Sequence, residues 1–227
     1  MALTTMFLDA GGVLANPNWE RVATVLAHHG VAVEAAALAR AEPHAKRTLD
    51  TADAIRTSTD LSRAGRYWEL VLARAGVTAP AEPLAAAWAE LRDYHARLNL
   101  WESVIAGVPE ALTRLRARGL RLVVVSNANG TLRQKLVRVG LADRLDIILD
   151  SHELGVEKPD PRIFEIALER AGITPDQALH VGDLYQVDVV GARAAGVAAV
   201  LVDPLDLYTD HDCRRVPSLL ALAEALG

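Results

Sequence analysis

A small set of polar residues in this chain has the side-chain types that phosphoryl chemistry needs. Asp9 follows the apolar run of residues 6–8 and precedes Ala10 and a pair of glycines. A carboxylate at the end of a buried strand can act as a nucleophile, because Asp forms acyl-phosphate intermediates. Asp183 and Asp188 follow a second apolar run. Three clustered carboxylates repel one another, and a Mg²⁺ ion would relieve that repulsion while finding the oxygen ligands it prefers.

Three further residues are candidates to bind the phosphoryl group. Ser126 and Asn127 end another apolar run, and Lys158 stands just before a helical pattern. The Ser126 hydroxyl and the backbone N–H groups at the start of the next helix can hold phosphoryl oxygens. Lys158 supplies a positive charge for the phosphoryl group and for Asp9. Each residue alone is more often a helix cap, a turn former or a solvated side chain, so their order along the chain carries the prediction.

The second half of the chain has the pattern of a scaffold that would bring these residues together. Apolar runs alternate there with helical patterns, which is typical of a parallel sheet covered on both faces. Ligands of such sheets bind beyond the carboxyl ends of the strands, where the candidate residues stand. We predict strands near residues 5–9, 120–125, 145–149, 178–181 and 198–202, and helices near residues 108–118, 130–139, 161–171, 186–195 and 217–226. The segment from Asp203 to Tyr208 is predicted as a loop after the last strand.

The segment between the first strand and residue 100 has a different pattern. It is dominated by Ala, Leu, Arg and Glu, with apolar residues at helical spacing. Its predicted helices lie near residues 17–29, 34–52, 58–75 and 82–97. The predicted fold class is therefore α/β: a doubly wound parallel-sheet (Rossmann-like) core with an all-helical cap domain. The core is assigned to residues 1–14 and 100–227, and the cap to residues 15–99.

Composition narrows the choice of partners. The 227 residues carry a net charge of −5 and no lysine-rich run, so we expect neither a nucleic-acid partner nor a membrane partner. The lone Cys213 excludes an internal disulfide and a cysteine-based zinc site. No signal-peptide pattern and no membrane-length apolar run is evident, so we expect a cytoplasmic protein. We expect a monomer or a homodimer.

The motifs together resemble those of the haloacid dehalogenase superfamily of aspartyl-nucleophile hydrolases. The resemblance covers residues 1–14 and about 100–205. The residues that carry it are Asp9 in FLDAGGVL, Ser126 in VVVSNANG, Lys158 in GVEKPDPRIFEIAL, and Asp183 with Asp188 in HVGDLYQVDVVGARAAG.

The resemblance implies a Mg²⁺-dependent phosphoryl-transfer site under a mobile cap. In that site Asp9 is the nucleophile. Our own expectation is that Lys158 assists it and that the substrate is a small phosphorylated metabolite. Asp183 and Asp188 would be metal ligands together with Asp9, and the backbone carbonyl of Gly11 would be a further ligand.

Position 11 departs from the pattern of the family's phosphatases. They normally carry an Asp there, which protonates the leaving group and then activates the hydrolytic water. Gly11 does neither, and general acid–base catalysis typically contributes about 10²–10⁴-fold. One explanation is a substrate that needs little protonation, such as an acyl phosphate or a phosphoanhydride. A second is a substitute from the cap, the candidates being His28, His29, His44, Lys46 and His95. The third is a non-catalytic protein that binds a phosphorylated ligand or has a regulatory role.

Two other activities of the superfamily also do without that Asp. The 2-haloacid dehalogenases need no metal, whereas the pair Asp183 and Asp188 suits a cation. Phosphonoacetaldehyde hydrolases cleave a C–P bond and use a cap lysine as a Schiff base. Lys46 is the only lysine in the predicted cap, although the other motifs of those enzymes differ from SNANG and EKPDP. Both activities therefore rank below a phosphatase.

Overall fold

The computed structural model describes residues 2–226, which fall into two units. The first unit contains the chain up to Asn16 and from Glu102 onward, and the second runs from Pro17 to Trp101.

The first unit is built on a parallel sheet. The strands in chain order are β1 (Thr5–Leu8), β2 (Ala15–Asn16), β3 (Ser103–Val104), β4 (Arg121–Ser126), β5 (Ile147–Asp150), β6 (Ala178–Gly182), β7 (Ala198–Val202) and β8 (Arg214–Val216). Six of them form one sheet in the order β5-β4-β1-β6-β7-β8, in which every neighbouring pair is parallel. From β1 the chain builds the sheet outward through β4 and β5, then returns to the other side of β1 for β6. The predicted α/β class with a parallel, Rossmann-like core is confirmed.

Helices cover both faces of this sheet. In the first unit they are α6 (Val108–Ala117), α7 (Leu132–Arg138), α8 (Ser151–Leu154), α9 (Pro161–Ala171), α10 (Val190–Ala194) and α11 (Leu219–Ala225). Successive residues of a strand point to opposite faces, so Met6 and Leu8 pack in one apolar cluster with Leu112, while Phe7 packs in another with Phe164. Because both faces are buried, the strands are continuous apolar runs, which is why the sequence predicts them well.

The structure corrects two predictions in this unit. The strand at Ala198–Val202 is not the last, because β8 follows and pairs with it. Asp203 holds the start of the connection by accepting hydrogen bonds from the backbone N–H groups of Leu207 and Tyr208, each at 2.9 Å. The helix predicted at 186–195 is a five-residue π-helical turn, Tyr185–Val189, followed by α10.

The second unit is helical. Its helices are α1 (Trp19–His28), α2 (Ala35–Leu49), α3 (Ala52–Arg56), α4 (Asp60–Arg74) and α5 (Ala81–Leu98). The helix predicted at 34–52 ends earlier than expected, and Thr51 starts α3 by accepting a hydrogen bond from the Ala54 N–H. Leu26, Leu38 and Val71 are among the buried residues of its apolar core. Within residues 2–226, no helix has the length and apolar character that crossing a membrane requires.

Candidate active site

Asp9 stands at the carboxyl end of β1, the strand from which the chain adds strands first on one side and then on the other. It follows β1, and its backbone N–H donates a 2.9 Å hydrogen bond to the Val181 carbonyl of neighbouring β6. A parallel sheet that reverses its order leaves a crevice at this position, beyond the carboxyl ends of the strands. The Asp9 side chain is largely buried.

The turn after Asp9 brings the backbone close to a second carboxylate. Gly12 has a φ of +69°, which favours glycine, and a Cβ placed on it would overlap the side chain of Asp183. The motif therefore needs a glycine at position 12 for both conformation and space.

Lys158 joins the first and last motifs. Its Nζ lies 2.7 Å from Asp188 Oδ1 and 2.9 Å from Asp9 Oδ1, and only 1% of the lysine side chain is exposed. Burial alone would lower the pKa of Lys158, but the charges of Asp188 and Asp9 raise it well above its usual range. Lys158 is therefore a fixed positive charge beside Asp9, not a group that gives up its proton at neutral pH.

Asp188 is buried and fully engaged by hydrogen-bond donors. Its Oδ1 accepts from Lys158 and lies 2.9 Å from Nε2 of His180, while its Oδ2 accepts from the backbone N–H groups of Asp183 and Leu184. Burial would raise the pKa of Asp188, but Lys158 and His180 hold it well below its usual range. Gly182 makes room for this carboxylate, since a Cβ there would overlap it.

The side chain of Asn127 positions Lys158. Asn127 Oδ1 accepts a 2.7 Å hydrogen bond from the Lys158 N–H, and Nδ2 donates a 3.0 Å bond to the Lys158 carbonyl. The sequence analysis assigned the Asn127 side chain to substrate binding, but its amide is hydrogen-bonded to the backbone of Lys158. Ser126 is buried. Among residues 2–226 its hydroxyl makes only a long contact of 3.5 Å to the Asn127 carbonyl, which leaves it able to donate elsewhere.

The three predicted metal-binding carboxylates come together. One oxygen of each of Asp9, Asp183 and Asp188 lies within 4.8 Å of the others. Asp9 Oδ1 is buried, and although Lys158 Nζ is 2.9 Å away, the two are not aligned as a hydrogen bond. That oxygen keeps lone pairs for a cation, and carboxylate oxygens are the donors that a hard divalent ion prefers. Each oxygen of Asp188 already has two hydrogen-bond partners. Asp188 would therefore bind a metal ion only by releasing one of them or through a water molecule.

Several residues at this edge of the sheet were not predicted. His180 is fully buried between Asp188 and Phe164. Asp150 ends β5 and accepts hydrogen bonds from the N–H groups of Gly130, Leu132 and His152. A histidine inside an apolar strand and an acid at a strand end are the signals that could have revealed them. The buried Lys135 of α7 is the third such residue.

Three of the five candidates for a substitute acid in the second unit have partners of their own, while His28 and His44 are exposed. Lys46 Nζ lies 2.5 Å from Glu42, and its engagement in this ion pair disfavours a Schiff-base role. His29 lies 3.0 Å from Glu90, and His95 Nδ1 accepts a hydrogen bond from the Leu100 N–H. In the first unit, Gly11 lies in the turn after Asp9 and bridges to Ala15.

Comparison with known proteins decides the family. A sequence model of the haloacid dehalogenase-like hydrolases matches residues 3–196. The chain belongs to this hydrolase family. The expectation drawn from its motifs is therefore confirmed.

Two curated haloacid dehalogenase-like relatives match parts of the chain. It is 50% identical over 128 residues to a phosphoserine phosphatase of Thermus thermophilus, and the matched region covers 52% of this chain and 51% of that protein. It is 41% identical over 132 residues to haloacid dehalogenase-like hydrolase domain-containing protein 3 of Mus musculus. That matched region covers 56% of this chain and 52% of that protein. The chain thus spans about half the length of the curated relatives it matches.

A solved haloacid dehalogenase-like structure matches the whole fold. The magnesium-bound HAD-hydrolase YfnB of Bacillus subtilis superposes with a TM-score of 0.72 and 17% identity, covering 100% of both chains. At that identity the likeness concerns the fold alone.

Proposed function

We propose that this haloacid dehalogenase-like hydrolase is a Mg²⁺-dependent phosphatase of small phosphorylated metabolites, with Asp9 as the nucleophile. The observation that carries the proposal is the state of Asp9 Oδ1. It is buried, held 2.9 Å from the Lys158 ammonium, and without an aligned hydrogen bond. A carboxylate oxygen held in this way is oriented and desolvated but still has lone pairs to offer to phosphorus or to a cation.

The residues on the chain divide the work of the first step. Asp9 attacks the phosphorus, the bond from phosphorus to the leaving oxygen breaks, and an aspartyl phosphate forms on Asp9. Lys158 and the Ser126 hydroxyl stabilise the negative charge on the phosphoryl oxygens. Asp188 and Asn127 hold Lys158 in place through its ammonium and its backbone.

A metal ion fits beside these residues. Asp9, Asp183 and the Gly11 carbonyl would hold Mg²⁺, and Asp188 would add its charge or bind the ion through a water molecule. When bound, the ion would neutralise charge on the phosphoryl group and relieve repulsion between the carboxylates.

Gly11 shapes the choice of substrate. The leaving oxygen needs a proton unless it departs as a stable anion, and Lys158 does not supply one because its pKa lies above the usual range. We therefore propose that the preferred substrates are acyl phosphates, phosphoanhydrides or other esters with good leaving groups. Attack of water on phosphorus then releases phosphate and restores Asp9.

The test is hydrolysis of acetyl phosphate and of an aryl phosphate, with and without Mg²⁺. The wild type is expected to turn over both only with Mg²⁺, and Asp9→Asn to abolish turnover. Glu153→Gln removes an exposed carboxylate from the same unit and is expected to retain full activity. Equal, slow rates for the wild type and Asp9→Asn would contradict the proposal.

The alternative that Gly11 favours is a non-catalytic protein that binds a phosphorylated ligand. It predicts Mg²⁺-assisted binding of phosphate without turnover across a broad panel. Including a 2-haloacid and phosphonoacetaldehyde in that panel tests the two remaining activities.

A further inference from the structure

His180 is a polar residue in the middle of an otherwise apolar strand. It lies between Leu179 and Val181 in β6, and none of its surface is exposed. It is in register with Phe7 of β1, and its ring packs edge-on against Phe164 with the ring centroids 4.9 Å apart. An apolar side chain of similar size would suit these neighbours better, so packing alone does not explain a histidine here.

The two ring nitrogens of His180 have different surroundings. Nε2 lies 2.9 Å from Oδ1 of Asp188, and it is the donor because an ionised carboxylate only accepts hydrogen bonds. Nδ1 is buried, and among residues 2–226 it has no hydrogen-bond partner. A buried polar nitrogen without a partner destabilises the fold. The protein therefore keeps a histidine here at a cost, and the benefit to look for is the contact with Asp188.

The same oxygen of Asp188 has a second donor. Lys158 Nζ donates to Oδ1 of Asp188 at 2.7 Å, and this ammonium also lies 2.9 Å from Oδ1 of Asp9. The other oxygen of Asp188 accepts from two backbone N–H groups of the turn after β6. The backbone thus fixes Oδ2, whereas side chains fix Oδ1. The contacts form a chain from His180 through Asp188 and Lys158 to Asp9.

We propose that His180 is a positioning residue for phosphoryl transfer: its Nε2–H holds Oδ1 of Asp188 where that oxygen places the Lys158 ammonium beside Asp9. The proposal rests on the proposed function, because it takes the phosphoryl group at Asp9 as the ligand of Lys158. Without the donor on His180, the carboxylate turns about its backbone-bound oxygen and the ammonium moves with it. A small displacement of a charge that stabilises the transition state lowers the rate steeply.

Two substitutions separate the hydrogen bond of His180 from its packing. His180→Gln carries an amide nitrogen that reaches the position of Nε2, so it retains a donor for Asp188. His180→Leu is of similar size and has no donor. Leucine buries no unpaired polar atom, and Asp188 still keeps Lys158 and two backbone donors. We therefore expect His180→Leu to be at least as stable as His180→Gln in urea denaturation.

The expected order of activity is the reverse of the order of stability. With an aryl phosphate and saturating Mg²⁺, kcat of His180→Leu is expected to fall about tenfold or more while KM changes by less than about threefold. The kcat of His180→Gln should stay within about threefold of the wild type, because its donor replaces Nε2. A purely structural role would instead make activity follow stability, and His180→Gln would then be the slower variant.

A second measurement needs no turnover. Orthovanadate takes the five-coordinate geometry that phosphorus passes through during transfer, so its affinity depends on the position of Lys158 in the same way as the transition state does. Calorimetry in the presence of Mg²⁺ measures that affinity. We expect orthovanadate to bind His180→Leu about tenfold more weakly than the wild type, and His180→Gln within about threefold of the wild type.

The proposal is overturned if His180→Leu binds orthovanadate as tightly as the wild type, if His180→Gln binds it no better than His180→Leu, or if the wild type does not bind it. It is also overturned if His180→Leu is much less stable than His180→Gln, since the histidine would then serve the fold. A wild type that binds orthovanadate but turns over no phosphate ester contradicts the proposed function, and the order of affinities still tests His180.

Discussion

The Lys158 ammonium lies 2.7 Å from Oδ1 of Asp188, and each side chain is only 1% exposed. The pair links the segment before α9 to the π-helical turn after β6. Since Lys158 also contacts Asp9, one buried cation ties together the three motifs on which the candidate site depends. Stability and catalysis are therefore expected to fail together when this cation is removed.

Lys158→Met is expected to lower the free energy of unfolding by about 3–5 kcal/mol, because it leaves buried carboxylates uncompensated. Urea denaturation measures the loss. Arg114→Met removes the exposed ion pair with Glu110 and should cost much less, because solvent screens exposed charges. A loss for Lys158→Met no larger than that of the control would contradict the reading of the pair as a structural link.

Asn127 offers a way to move Lys158 without removing its charge. Asn127→Ala deletes both hydrogen bonds to the Lys158 backbone, and we expect a loss of stability of about 1–2 kcal/mol and a fall in kcat of about tenfold. Asn127→Asp keeps the shape but sets a carboxylate oxygen against the Lys158 carbonyl, so its kcat should fall at least as far. Steady-state kinetics with an aryl phosphate decide the matter, and unchanged kcat in both variants would show that Asn127 does not position Lys158.

The order of strand-end residues was sufficient to predict which motifs meet. Asp9, Lys158 and Asp188 come together because parallel strands of one sheet end at the same edge, and each strand is an unmistakable apolar run. The sequence does not show which hydrogen-bond donors contact each carboxylate. Asp188 contacts His180 and accepts hydrogen bonds from two backbone N–H groups because it lies in a π-helical turn. No local sequence pattern predicts that turn.

Short elements with mixed composition were missed for a different reason. The strand β8 is three residues long and contains two arginines, so its pairing with β7 comes from tertiary contacts, not from periodicity. Lys135 was missed because a lysine on a helix is normally solvated, and only the packing of α7 against the sheet buries it.

Gly12 is predicted to be indispensable for the carboxylate cluster. Gly12→Ala places a Cβ against Asp183 and strains a positive φ, whereas Gly140→Ala strains a similar φ of +72° with open space around the Cβ. Both substitutions should cost about 1–2 kcal/mol from backbone strain. Only Gly12→Ala should also raise the Mg²⁺ concentration for half-maximal activity, by about tenfold or more. Equal Mg²⁺ dependence in the two variants would remove Gly12 from the metal-binding turn.

Gly11 should govern how activity depends on the leaving group. Without an acid at this position, the rate for a series of phosphate esters should rise steeply as the pKa of the leaving alcohol falls. Gly11→Asp supplies a carboxyl group and should accelerate alkyl phosphates by about 10²-fold or more, with a smaller gain for aryl and acyl phosphates. A series of substituted phenyl phosphates measures the slope. A flat dependence in the wild type would show that another group already donates the proton.

The charge on Lys135 makes a prediction for stability as a function of pH in the absence of ligand. Its pKa is about 8 in the folded protein against an ordinary value of 10.5. The unfolded chain therefore binds more protons between these values, so the wild type gains stability as pH rises through that window. The charges acting on Lys135 are those of Asp9, Asp150 and Arg138, and Lys135→Met leaves all three in place.

The variant should accordingly be more stable than the wild type at about pH 7, by on the order of 3 kcal/mol, and this advantage should shrink toward about pH 10. Urea denaturation across that range measures the difference. Arg133→Met, which removes an exposed charge from α7, is the control and should show no such trend. If Lys135→Met were instead the less stable protein at neutral pH, with a gap independent of pH, the ammonium would be satisfied within the fold.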